Sequence, residues 1–402
     1  MKKKQLLFIA AAAAMLAACA KTEAPVEELT PENSPAETKA AQSVIFGTNL
    51  KANEETKATV TAWAGQDLYV IGFADAKLAS ASGEVSGLTE NDGFLIPNAK
   101  GSAPASGTSG QMKLIHGTQS DGTTEEPYYY NEQVESYSFC AYYVDDAEEN
   151  PSPVVEDSKI ILKDLEIDGC QDILAAVTDA DRKNADRVIP SGNDAGRHVN
   201  TKYVYSAYSS RKGIKPTLEF NHMLSRFVFS VKVGGTDAAT IAPKITIDSL
   251  KFDTYAKGDL QLYPETKITK ATTDTTGLYL LELPTTLSNE YVSDFKQICD
   301  AIMVIPGETE YIMHLYYKQD GIELAGNNGV VAYDIPITIA DVTSVKDPAE
   351  EVGSTFLAGK QYNVNIVIYG LEEVKINVTL SEWDPWGQFE YDPDEKGDGI
   401  ED

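Results

Sequence analysis

The chain has 402 residues and a formal net charge of −29 at pH 7, from 33 basic and 62 acidic side chains. A protein this acidic repels phosphate backbones and anionic lipid headgroups, which excludes nucleic-acid binding and electrostatic attachment to membranes as expected functions. With 42% hydrophobic residues, a chain of this length is expected to form two folded domains.

The N-terminal residues have the pattern of a secretory signal. Three lysines at positions 2–4 precede an apolar run, Leu6 to Leu16, that is too short for a permanent membrane-spanning helix. The sequence LAAC that ends at Cys19 resembles a bacterial lipobox, where the signal is removed and the cysteine becomes the acylated first residue. We therefore predict a signal peptide over residues 1–18, acylation of Cys19 and export from the cytoplasm.

The segment after Cys19 is predicted to be a flexible tether followed by a strand. Residues 19–42 are rich in Pro, Glu, Thr and Ala and contain little to bury. In Ser43 to Leu50, apolar side chains recur with the period of two that is typical of a half-buried strand, with an interruption at Thr48. The apolar residues of this strand are Val44, Phe46 and Leu50.

A polar loop, Lys51 to Thr59, comes directly after the predicted first strand. It contains Lys51 and Lys57, which are candidate sites for a trypsin-like protease because exposed polar loops are where proteolysis concentrates.

The remainder of the N-terminal half is rich in aromatic and β-branched segments bounded by Gly, Asp and Ser, which predicts further strands. These segments are Val60 to Trp63, Asp67 to Phe73, Tyr137 to Val144 and Lys159 to Ile167. Asp172 to Val188 could hold a short helix, although its polar second half favours a loop. We expect a domain over residues 43–215.

The C-terminal half has the same character, and its strands are predicted to form a second domain over residues 216–390. The predicted strands lie in Phe220 to Val233, Ile245 to Phe252, Leu278 to Leu283, Ala301 to Pro306, Glu310 to Tyr317, Tyr333 to Ile339, Tyr362 to Gly370 and Val374 to Trp383. An acidic tail follows at residues 391–402. The chain is therefore predicted to be all-β.

The sequence contains no GxSxG elbow, HExxH motif or P-loop, so we expect no enzymatic activity and no cofactor. The four histidines are scattered without metal-ligand spacing, and His222 is interpreted as a packed core residue. The cysteines after Cys19 form no CxxC pair and are interpreted as buried apolar residues, of which at most one pair could be bridged. They are Cys140, Cys170 and Cys299.

The order of these segments resembles that of the fimbrillins, the lipoprotein-derived pilins of type V fimbriae in Bacteroides-type bacteria. The resemblance runs from Cys19 to about Trp383. It is carried by the lipobox, an alternating strand, TKAT, WAGQDLYVIGF, YSFCAYYV, DILAA, FNHMLSRFVFSV, IMVIP and FLAGKQYNVNIVIYGLEEVKINVTLSEW.

The resemblance implies two transthyretin-like β-sandwich domains in tandem, in a subunit that is anchored to the outer membrane through lipid and assembles with other fimbrial subunits. It also implies maturation by an Arg- or Lys-specific protease that removes the first strand, here Ser43 to Leu50. Lys57 occupies the matching position in TKAT, and Lys51 is the alternative because it lies nearer to the strand.

A strand near the C-terminus is the candidate replacement for the first strand. Its apolar residues alternate with polar ones and would fit the groove that the first strand leaves. The candidate donor residues are Val374, Ile376, Val378 and Leu380. The alternative is that this strand completes the sheet of its own domain.

A surface glycan-binding β-sandwich lipoprotein is the alternative function. The run Tyr128 to Tyr130 could form a platform on which sugar rings stack. An enzyme is the third possibility, which the missing catalytic motifs disfavour.

Overall fold

The computed structural model describes residues 28–32, 34, 41–50, 62–118, 125–145, 152–178, 180–281, 284–322, 329–344, 352–371 and 374–382. The predicted signal peptide with Cys19, the loop with Lys51 and Lys57, and the acidic tail lie outside the described residues. In the described part of the chain, no helix is both long and apolar enough to cross a membrane.

The described chain consists mainly of strands. In the N-terminal half they are β1 (Phe46–Leu50), β2 (Asp67–Ala74), β3 (Gly83–Glu84), β4 (Phe94–Ser102), β5 (Ser109–Leu114), β6 (Gly117–Thr118), β7 (Glu125–Glu126), β8 (Tyr137–Val144), β9 (Val154–Glu156), β10 (Lys159–Glu166), β11 (Ile173–Val177) and β12 (Thr217–His222). In the C-terminal half they are β13 (Ser225–Val233), β14 (Ile245–Tyr255), β15 (Lys257–Tyr263), β16 (Lys267–Lys270), β17 (Thr275–Tyr279), β18 (Thr285–Thr286), β19 (Lys296–Gln297), β20 (Ile302–Val304), β21 (Glu310–Gln319), β22 (Val331–Thr338), β23 (Val342–Ser344), β24 (Lys360–Ile368) and β25 (Val374–Glu382).

The helices are short and lie in the connections between strands. The α-helices are α1 (Ala180–Asp186), α2 (Ala207–Arg211), α3 (Ala238–Ile241) and α4 (Glu290–Ser293). Single 3-10 turns lie at Leu78–Ser80, Val85–Gly87, Glu90–Asp92, Thr201–Tyr203, Ala242–Lys244 and Ile339–Asp341. The prediction of an all-β fold is confirmed.

Strands of the N-terminal half form a closed barrel in the order β1-β12-β11-β8-β2-β4-β5. Its main hydrophobic cluster, called here the barrel cluster, contains Phe46, Phe139 and Phe220. Both faces of β8 are buried, because its side chains alternate between the barrel cluster and a second cluster that includes Tyr142. Gly72 of β2 pairs with Phe139, and a Cβ at this position would lie 2.7 Å from the Phe139 ring. Glycine therefore makes room for the ring.

A second sheet, in the order β16-β15-β10-β9-β3, shares that second cluster with β2, β8 and β11. The hairpin β15–β16 belongs to this sheet, because β15 pairs antiparallel with β10 from Glu166↔Lys257 to Ile160↔Tyr263. Strands that follow residue 256 thus extend a sheet whose other strands end before residue 167.

Two sheets of the C-terminal half enclose a third hydrophobic cluster. One has the order β19-β13-β24-β25-β23, with β20 also paired to β13, and the other has the order β17-β14-β21-β22, with β18 paired to β14. Phe227 lies at the centre of the cluster between them, with four other rings at centroid distances of 5.2 to 5.4 Å. These rings are Phe252, Tyr311, Phe356 and Tyr362.

One segment differs from its predicted secondary structure, and another takes one of the two forms expected for it. Trp63 was predicted to end a strand, but residues 62–66 are irregular and β2 begins at Asp67. The Trp63 amide instead donates to the Gly107 carbonyl at 2.7 Å, outside any ladder. After β11, where either a short helix or a loop is expected, the chain forms the helix α1 at Ala180–Asp186, in a segment with strong helix formers such as Ala, Arg and Lys.

Candidate functional site

The first strand is an integral part of the barrel. On one side, β1 pairs in parallel with β12, from Gly47↔Thr217 to Leu50↔Phe220. On the other side it pairs antiparallel with β5, from Phe46↔Met112 to Asn49↔Ser109. Its backbone is therefore hydrogen-bonded along both edges, and its removal would leave β12 and β5 each with an open edge.

The side chains of β1, together with Val44 two residues before it, complete the barrel cluster. Val44, Phe46 and Leu50 are buried in it, which confirms the role predicted for them. The rings of Phe46 and Phe139 meet edge to face at a centroid distance of 4.9 Å. Thr48, predicted to interrupt the apolar face, is also fully buried, and its hydroxyl donates to the Gly110 carbonyl at 3.1 Å.

The residues on either side of the predicted cleavage loop are hydrogen-bonded to the same turn. Leu50 donates its amide to the Thr108 carbonyl at 2.7 Å, and Trp63 donates to Gly107 at 2.7 Å. The Trp63 ring is buried and meets the ring of Phe220 at a centroid distance of 5.3 Å. Lys51 and Lys57 lie between these anchors, outside the described residues. Trp63 was missed as an anchor, although a lone tryptophan after a polar loop was a signal for one.

Part of the predicted tether is docked on the protein. Leu29 is fully buried in the barrel cluster and forms a parallel bridge with Val199. Glu28 accepts hydrogen bonds from Arg187 Nη1 at 3.0 Å and from Asn200 Nδ2 at 2.6 Å. The sequence did not reveal this contact, because a single leucine in a polar segment forms no periodic pattern.

The candidate donor residues lie in β25, which is paired within its own sheet. β25 pairs antiparallel with β24 along its length, from Val374↔Ile368 to Glu382↔Lys360, and in parallel with β23 from Val342↔Val378 to Ser344↔Leu380. Val378 and Leu380 are buried in the C-terminal cluster, and Val374 and Ile376 are partly buried against it. All four side chains face the C-terminal cluster, as their alternation with polar residues predicted.

The three consecutive tyrosines do not form a platform for sugar rings, contrary to the interpretation from sequence. Tyr130 is buried, Tyr128 is partly buried against the barrel cluster, and Tyr129 is 41% exposed. Burial also raises the pKa of the Tyr130 hydroxyl. Their side chains point alternately inward and outward because this backbone pairs in extended form with the segment before β1. The hydrogen bonds run from Val44 N to Tyr128 O (2.8 Å) and from Tyr130 N to Gln42 O (2.9 Å).

The histidines have structural environments. His222 is buried, as predicted, and its Nδ1 lies 2.9 Å from Asp172 Oδ1. On the outer face of the second C-terminal sheet, His314 bridges two carboxylates, with Nε2 3.0 Å from Asp253 Oδ2 and Nδ1 2.7 Å from Asp334 Oδ1. Hydrogen bonds to Asp253 and then to Asp334 raise the pKa of His314. Among the described residues, no group of His, Cys, Asp and Glu is arranged to hold a metal ion.

The three described cysteines are not joined to one another by disulfides. Cys140 is buried, as predicted, and burial raises the pKa of its thiol. Cys299 is partly buried, and burial raises its pKa to about 12. Cys170 is exposed, contrary to the prediction, because it lies in a turn where its amide donates to Asp168 Oδ1 at 2.8 Å.

Comparison with solved structures finds similar chains in Bacteroides and Porphyromonas. Among solved structures, the chain is similar to a fimbrial protein from Bacteroides vulgatus, at 11% identity over 85% of this chain and 99% of that chain, with a TM-score of 0.42. It is also similar to a fimbrilin, FimA, from Porphyromonas gingivalis, at 10% identity over 86% and 99% of the two chains and a TM-score of 0.43. A third similar structure is the tip fimbrial protein Mfa3 of Porphyromonas gingivalis with a C-terminal truncation, at 9% identity over 85% and 100% and a TM-score of 0.37.

A search of curated protein sequences found no match. A family model described as fimbrillin-like matches residues 81–383, which include every strand from β3 to β25. Because this match covers well over half of the sequence, the chain belongs to the fimbrillin-like family.

Proposed function

We propose that this protein is a structural subunit of cell-surface fimbriae that is exported as a lipoprotein acylated at Cys19, matured by proteolysis and polymerised by donor-strand exchange. The observation that carries the proposal is that β1 is an internal strand of a closed barrel and is followed at once by the polar loop that contains Lys51 and Lys57. In this role it is anchored at the outer membrane, assembles with other fimbrial subunits and contributes to adhesion.

Removal of β1 supplies the driving force for assembly. Each of Val44, Phe46 and Leu50 contributes about 1.5–3 kcal/mol through burial in the barrel cluster. Their loss exposes this apolar surface together with the open edges of β12 and β5. Strand addition from another subunit restores both the backbone hydrogen bonds and the apolar contacts.

The donor strand that we propose is β25. It is the last described strand of the chain, so it can leave its sheet without moving other strands through a loop. One of its neighbours, β23, is only three residues long, and Val374 and Ile376 lie beyond the residues that pair with β23. Release from its own sheet costs the contacts of Val378 and Leu380, which insertion into the next barrel replaces with equivalent ones.

Proteolysis is proposed at Lys57, with Lys51 as the alternative site. Cleavage at either lysine separates β1 from Trp63, which remains attached to the body through Gly107 and Phe220. A protease of trypsin-like Arg or Lys specificity fits both sites.

The test is to incubate the full-length protein with a trypsin-like protease and to measure its size. We expect a ladder of oligomers whose subunits begin at Ala58. A Lys51→Ala, Lys57→Ala double variant should remain monomeric, whereas Lys159→Ala, at an exposed lysine of β10, should polymerise like the unmodified protein. A protein that is cut within residues 51–57 and stays monomeric, or assembled subunits that still begin at Cys19, would contradict the proposal.

A further inference from the structure

Residues well before β1 make a separate attachment to the protein. The amide of Leu29 donates to the His198 carbonyl at 2.9 Å, and the amide of Asn200 donates to the Leu29 carbonyl at 2.9 Å. The Leu29 side chain is 0% exposed and shares the barrel cluster with Val199. One aliphatic side chain and two main-chain hydrogen bonds therefore hold this segment in extended pairing.

Polar contacts flank the buried leucine on both sides. Glu28 is bonded to Arg187 and Asn200, and the Glu28 and Arg187 side chains are only 37% and 25% exposed. Downstream, the hydroxyl of Ser34 forms a hydrogen bond with the hydroxyl of Tyr208. The attachment thus holds an acidic residue followed by a leucine.

The hydrogen bonds of this attachment are separate from those of β1, although Leu29 and β1 share the barrel cluster. Hydrogen bonds join residues 28–32 and 34 to the connection between α1 and β12, over residues 187–208. β1 contacts β5 and β12 instead. A third set of contacts, between residues 42–44 and Tyr128 to Tyr130, lies between the two in the sequence.

We propose that residues 187–208 form a peptide-docking pocket, the Leu29 pocket, which recognises a short acidic segment with one aliphatic anchor. Its occupant is the segment Glu28–Ser34 of the same chain. The inference rests on the proposed cleavage within residues 51–57, and it adds that cleavage alone does not expose the groove. The cut N-terminal fragment stays bound through the Leu29 pocket and β1 until an incoming strand displaces it.

The experiment uses the full-length protein with Cys19→Ala, to keep it soluble, and a recognition site for a sequence-specific protease inserted between Glu54 and Glu55. After complete cleavage, the N-terminal fragment should co-elute with the body in size-exclusion chromatography. In a Leu29→Ala variant, we expect the fragment to dissociate roughly 30-fold faster, which corresponds to the lower range of costs for emptying a buried leucine site. Pro31→Ala is the matched control, because Pro31 is exposed in the same segment.

The un-nicked variants must first show cooperative thermal unfolding, and Leu29→Val replaces Leu29→Ala if the latter does not fold. Immediate loss of the fragment from the otherwise unmodified protein would overturn the proposal. So would equal dissociation rates for the Leu29 and Pro31 variants. Because fragment retention is measured before any oligomer forms, a retained fragment with no later polymerisation would refute the proposed function and leave the Leu29 pocket standing.

Discussion

Phe46 is the side chain through which β1 contacts the aromatic interior of the barrel. It is fully buried, and its ring meets Phe139 edge to face. Phe139 in turn approaches Gly72 so closely that no other residue fits there without displacing the ring. The position of β1 is therefore set by a sequence of direct packing contacts from Gly72 through Phe139 to Phe46.

Phe46→Ala should lower the free energy of unfolding of the uncut protein by about 3–5 kcal/mol, because it leaves a cavity in a closed barrel. Chemical denaturation would measure the change. Phe295→Ala is the matched control, since Phe295 is 41% exposed, and it should cost less than about 1 kcal/mol. Equal effects at the two positions would mean that β1 is not packed as described.

His314 should make stability depend on pH. Its pKa is raised in the folded protein by hydrogen bonds to Asp253 and Asp334, so the folded state binds the proton more tightly than the unfolded state does. The stabilisation is fully present below the unfolded pKa, near 6.5, and is lost as the pH rises through the higher folded pKa. The contribution is modest, because Asp334 is 74% exposed.

A His314→Gln variant should therefore be less stable than the unmodified protein at pH 5, with a difference that shrinks toward pH 9. Urea midpoints at the two pH values measure this, with His116→Gln as the control at an exposed histidine. A stability difference that grows with rising pH would reverse the sign and refute the role of His314.

For single strands, the alternation of apolar and polar residues in the sequence was sufficient to predict the buried face of β1 and of β25. In both strands the apolar residues share one face because side chains in a strand alternate with period two. The same reasoning could not show that β15 pairs with β10, because alternation indicates which face is buried and carries no information about which distant strand lies alongside. Nor could it detect docking that depends on the single residue Leu29.

β25 can be held in its own sheet to test its proposed donation. Asn365 and Asn377 lie directly opposite each other on β24 and β25, on the face away from the C-terminal cluster. Cross-strand pairs of this kind are close enough for a disulfide. In a background with Cys170→Ser, an Asn365→Cys, Asn377→Cys variant should form no polymers when oxidised and should recover polymerisation when reduced.

The single variant Asn377→Cys is the matched control and should polymerise under both conditions. Size-exclusion chromatography after proteolysis is the measurement. Normal polymerisation of the oxidised double variant, with the disulfide verified by mass spectrometry, would rule out β25 as the donor and favour its role as a permanent strand of its own sheet.

At the scale of the whole molecule, the proposed lipid and the folded body are joined in two different ways. Before cleavage the chain itself links Cys19 to the barrel. After cleavage within residues 51–57 the link consists of non-covalent contacts, namely those of Leu29 with residues 187–208, of residues 42–44 with Tyr128 to Tyr130, and of β1 with its neighbours. Membrane retention of the body should therefore report the strength of these contacts.

Cys19→Ala should release the uncut protein into the soluble fraction, because Cys19 carries the proposed lipid anchor. With Cys19 intact, the cut protein should remain largely in the membrane fraction, and adding Leu29→Ala should shift the body to the soluble fraction without changing the extent of cleavage. Fractionation with immunoblotting against the C-terminal half measures both effects, with Pro31→Ala as the control. Retention of uncut Cys19→Ala in the membrane would refute the lipid anchor. Release of the cut body to the same extent with and without Leu29→Ala would show that the pocket does not hold the cut subunit at the surface.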